Sequence, residues 1–318
     1  MSTQDTQRRR NRRETSFITT SGGLLTEQLL YKLRNEACSE EAVAPQTFVV
    51  GDADPESDTA VESDISEAWE TLVERWDEIS RDNSVFGMEV SDIRNQWLLK
   101  LFDALGFEPE FQQSNLEASG IEANLSHLGW PPQHSVQAAG SEFDGVPPVL
   151  HMTQPDADHR LDGGDHVGTG ARQKSPHDEL QTYLNASSEV QWSIVTDGLK
   201  LRVLRDFYHT YTRGYVKFDL ENIFTNRNFN DFRALYRLCH ASRFTSEGGD
   251  DERPVESLYQ VSIATGVKVG EDLQSNVVEA LETLGNGFLT PEIREALEEG
   301  GQDVADAYYQ DQLRIVYR

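Results

Sequence analysis

The sequence predicts a mixed α+β or α/β chain whose centre is ordered αβββαβ, flanked by N-terminal helices and a C-terminal helical region. Three observations carry this. Apolar residues recur at helical spacing before residue 106, as in Trp69, Leu72, Val73 and Trp76. The period changes after Gly106, where short strand-like runs begin. The Asp197-Gly198 pair then sits between two apolar runs, a strong hairpin signal.

The elements follow in order. Residues 1–20 read as a basic tail carrying Arg8, Arg9, Arg10, Arg12 and Arg13. A twin-arginine export signal does not fit, because Phe17 to Leu25 lacks an apolar run of the needed length. Residues 21–90 form an N-terminal helical region. One helix runs from about Leu24 to Ala37 and a second from about Ile65 to Arg81, with an acidic loop over 39–62 between them. Residues 91–220 form the α/β region. Ser91 and Asp92 open its first helix, which carries Trp97, Leu98, Leu101 and Phe102 and stops at Gly106. Strands are expected at Phe107–Gln113, Ile121–Leu128 and Val149–Met152, with loops over 129–148 and a mobile one over 153–174. Ser175-Pro176-His177-Asp178 opens a helix ending near Ala186: a capping serine, proline at the first helical position and an acid in the first turn. Strands Gln191–Thr196, Leu199–Arg205 and Gly214–Phe218 follow. Residues 221–318 read as helices at Asp231–Ser242, Pro254–Leu284, Pro291–Glu299 and Asp303 onward.

The order αβββαβ is that of the restriction-endonuclease-like fold. A set of motifs points the same way. Gly22-Gly23-Leu24-Leu25, Leu125-Ser126-His127-Leu128 and Ser175-Pro176-His177 with Gln181-Thr182-Tyr183-Leu184-Asn185 come first. Trp192 to Asp206, Phe218-Asp219-Leu220-Glu221 and Asp231 to Phe244 follow, then Leu284 to Leu289 and Tyr308 to Arg318. Together they resemble the N-terminal region of Eco57I-like (type IIG-like) restriction-modification adenine-specific DNA methylases of phage-defence systems. The resemblance covers most of residues 20–318 and is weakest in 39–60 and 129–172. One departure is Thr196-Asp197-Gly198 where the family usually shows Thr-Asn-Gly; the acidic and proline-rich inserts are another. The resemblance implies that the last helix leads toward a methyltransferase domain, so the chain reads as truncated before it. S-adenosylmethionine and magnesium are implied only for a complete parent enzyme.

The residues argue against chemistry in this chain. A nuclease of this fold needs an acid on the second strand and Glu-x-Lys on the third, to hold Mg²⁺ and place the attacking water. Here those strands carry His127 and Val149-Leu150-His151-Met152-Thr153, with Asp144 and Asp156 only in loops. Adenine methylation needs an Asn/Asp-Pro-Pro-aromatic turn. Trp130-Pro131-Pro132-Gln133 lacks its head group, and Gly285-Asn286-Gly287 and Gly168-Thr169-Gly170 lack the strand that precedes a cofactor loop. The run His151, Asp156, Asp158, His159, Asp162, Asp165 and His166 resembles a metal-ligand set, but loops in this chain are rich in Asp throughout, so it reads as solvated loop. We therefore expect no catalytic residue, no metal and no cofactor.

Composition sets the partners. The 318 residues carry 55 Asp+Glu against 28 Lys+Arg, a net charge of −27 spread along the chain. An acidic, lysine-poor surface of this kind suits a halophilic, archaeal host. Cys38 and Cys239 stand far apart, which suits a reducing cytoplasm, and no apolar run is long enough for a membrane span. One segment, Thr196 to Phe244, inverts the balance with nine cations against five acids. Its Lys200, Arg202, Arg205, Arg213, Arg233, Arg237 and Arg243 are the candidate DNA contacts; ion pairing with the chain's own acids is the competing reading. The expected function is a non-catalytic module that associates with DNA or positions the methyltransferase. Two alternatives are a structural subunit docking helix 303–318 on a separately encoded methylase, and an active Mg-dependent nuclease.

Overall fold

A computed structural model describes residues 16–48, 58–81, 88–131, 146–155, 161–162, 174–206, 213–244, 253–287 and 290–316. The chain divides into two compact units, Met1–Ser262 and Ile263–Arg318.

The centre of the first unit is a mixed sheet. Strands β1 (Ile18–Ser21), β6 (Leu150–Met152), β7 (Trp192–Thr196), β8 (Lys200–Arg205) and β9 (Tyr215–Asp219) lie in the order β1-β9-β8-β7-β6. Neighbours are antiparallel except β6 and β7, which run parallel and pair Leu150 with Ile194. Strands β2 (Glu108–Phe111) and β5 (His127–Trp130) form an antiparallel pair. A single antiparallel bridge between Leu128 and Val149, the residue before β6, brings this separate pair beside the edge of the sheet. Strands β3 (Leu116–Ala118) and β4 (Ile121–Ala123) make a separate hairpin.

Alternation along the strands feeds two cores. Ile194, Leu201, Val203, Val216 and Phe218 belong to the larger one. It is closed by α1 (Glu27–Leu33), α2 (Asp58–Ser80), a helical run over 90–104, α6 (Leu220–Thr225) and α7 (Phe229–Cys239). The run over 90–104 consists of α3 (Val90–Ile93), a π-helical turn Arg94–Leu98 and α4 (Leu99–Ala104). On the opposite face, Val149, Val195 and Leu204 pack with Leu180 and Leu184 of α5 (Pro176–Ala186). The cap of α5 is the one the sequence predicts: Ser175 Oγ accepts from Asp178 N at 3.1 Å.

Several expectations change in detail. The tail over 1–20 contains β1, because Ile18 to Ser21 pair with Phe218 to Tyr215; the arginines of that tail lie outside the described residues. The expected strand Ile121–Leu128 breaks into β4 and β5. Ser119 and Gly120 turn with positive φ, and Asn124 N donates to Glu179 Oε1 at 2.8 Å instead of to a neighbouring strand. The second helix begins at Asp58, seven residues earlier than its apolar stripe suggested. The helical region expected from residue 221 is split: α6, α7 and the start of α8 (Pro254–Gly287) belong to the first unit.

The second unit contains the rest of α8 and α9 (Pro291–Val316), whose backbone breaks at Gly301, φ 63° and ψ −159°. That break separates the two helices expected there. No helix among the described residues is long and apolar enough to cross a membrane.

Candidate nucleic-acid interface

The seven cations proposed as DNA contacts are not gathered on one solvent-facing patch. They engage the chain's own oxygens. Lys200 Nζ lies 2.6 Å from Asp219 Oδ1. Arg202 Nη2 reaches Asp162 Oδ2 at 2.9 Å, with its guanidinium 4.1 Å from the centre of the Tyr215 ring. Arg205 grips Glu256 through Nε and Nη2 at 3.0 and 3.1 Å. Arg213 holds Asp178 at 3.0 and 2.7 Å and also reaches Asp162. Arg233 and Arg237 share Glu62, at 2.9 and 2.8 Å. Arg237 also donates to the carbonyls of Leu33, Asn35 and Glu36. Arg243 is fully buried over the Phe48 ring, with donors on the carbonyls of Ala42 and Thr47. Alternation did put Lys200 and Arg202 on one face of β8, but α5 and Asp162 cover that face. Arg213, with 40% of its side chain exposed, is the most open of those seen in ion pairs.

The electrostatics follow from the pairing. The hydrogen bond from Arg202 holds the Asp162 carboxyl below its ordinary value. Burial opposes the charge on Asp219 and Glu256, yet hydrogen bonds from Lys200 and Asn222, and from Arg205, Trp192 and Gln260, hold both carboxyls low. Asp231 differs: burial outweighs its bonds to Phe17 N and Arg34, and its carboxyl is raised.

The second and third strands of the expected core carry imidazoles. His127 and His151 stand on β5 and β6, and each is pushed down to about 4, chiefly by burial. His151 Nδ1 is buried without a hydrogen-bond partner. Asp144 and Asp156 lie outside the described residues, as do Gly168-Thr169-Gly170 and most of the histidine- and aspartate-rich run. Of that run, His151 and Asp162 are described, and Asp162 is committed to Arg202 and Arg213. Among the described residues no group of three or more His, Cys, Asp or Glu is arranged to hold a metal ion. Gly285-Asn286-Gly287 lies inside α8, not after a strand.

Sequence reading missed Arg94. It opens the π-helical turn, its guanidinium lies 5.2 Å from the centre of the Phe111 ring, and its Nε is buried without a partner. A signal existed. Positions 90, 91, 97 and 98, its helical neighbours, carry no acid, although acids are twice as common as cations in this chain. Phe111 of β2 is 54% exposed and meets the His127 ring edge-on at 5.4 Å. Comparison with protein-family models, curated proteins and solved structures gives no match.

Proposed function

We propose that residues 91–205 form a restriction-endonuclease-like core without nuclease chemistry, and that the chain is a non-catalytic module of a restriction-modification adenine-specific DNA methylase. One observation carries the reading. What supports it is the element order: a helix, the antiparallel pair β2–β5, a single antiparallel bridge from β5 to the residue before β6, helix α5, and then β7 parallel to β6. The hairpin β3–β4 is an insertion that leaves this order intact. Imidazoles at the second- and third-strand positions bring no oxygen to a magnesium ion, which prefers oxygen ligands.

The role is then to place a methyltransferase on DNA. The buried pairing of Arg202, Arg233, Arg237 and Arg243 makes these cations scaffold in this reading. Phosphate contact would fall to Arg213 and to residues outside the proposed set. The test reads the DNA after codon 318 for a methyltransferase reading frame and, where one is present, mixes its product with the chain. A co-eluting complex with faster adenine methylation than the partner alone supports the proposal. Plasmid cleavage by the purified chain with Mg²⁺ or Mn²⁺, abolished by EDTA, would overturn it.

A further inference from the structure

We draw no further inference here: the strongest candidate, the half-open side-chain cluster beside α5 in which Arg202 and Arg213 hold Asp162 and Arg213 also holds Asp178, belongs to the site already described, and its arginines are bound to the chain's own carboxylates with nothing in the structure to show an outside anion taking their place.

Discussion

At the scale of single residues, this protein's cations were visible in the sequence and their partners were not. Arg233 meets Glu62 across 171 positions, and Arg205 meets Glu256 across 51. Such pairs depend on which faces the fold brings together, which no local pattern encodes. The exposure of Phe111 is hidden for the same reason. Four histidines show a consequence. His127, His151 and His177 are pushed down to about 4 and His240 to about 3, each chiefly by burial. Arg94 lowers the first two further, Arg202 the third and Arg243 the fourth. Their ordinary value is 6.5. The unfolded chain therefore takes up protons below pH 6.5 while the folded chain does not. Their contribution is full above that pH and is lost as pH falls toward 4, at about 1.4 kcal/mol per pH unit for each ring. Denaturant titrations at pH 7.5, 6 and 5 should show falling midpoints, with a steep part between the last two. Replacing His240 by Gln should flatten that slope.

At the scale of elements, legibility followed how local the determining interactions are. The cap of α5 and the β7–β8 hairpin were readable because their hydrogen bonds lie within a few residues. In that hairpin Asp197 Oδ1 accepts from Leu199 N at 2.9 Å and Lys200 N at 2.7 Å, and Gly198 turns with φ +87°. A β-carbon at Gly198 would stand 2.6 Å from Ile93 Cδ1, so the turn also fits against α3. Strand β1 was not readable. Four residues after a basic tail carry little pattern, and their pairing with β9 bridges nearly the whole first unit. The hairpin gives a paired prediction. Asp197→Asn keeps the accepting oxygen and should leave the melting temperature close to that of the natural chain. Asp197→Ala leaves two amide protons in a buried turn without an acceptor and should cost about 1–3 kcal/mol. Denaturant midpoints of the two variants check both halves.

At the scale of the whole molecule, the spacing of apolar residues and the order of elements predicted a mixed α/β chain, and the architecture is that. The boundary between its parts was harder to place, since a sequence shows where helices begin but not which core they serve. The first two turns of α8 belong with the sheet. Val255 and Leu258 are fully buried there. Glu256 accepts from the Trp192 indole at 2.8 Å as well as from Arg205. Ser262 Oγ accepts from Thr26 N at 2.6 Å, tying α8 to the start of α1. A chain ending at Ser262 should therefore fold with the cooperativity and denaturant midpoint of the first unit in the full protein. A chain ending at Arg253 removes two buried aliphatic side chains and leaves Arg205 and the Trp192 indole without their shared acceptor. It should lose about 3 kcal/mol or more. Parallel urea titrations of the two truncations, followed by tryptophan emission, decide the point. Equal midpoints would mean that α8 belongs wholly to the second unit, whereas a loss confined to the shorter chain places the boundary inside α8.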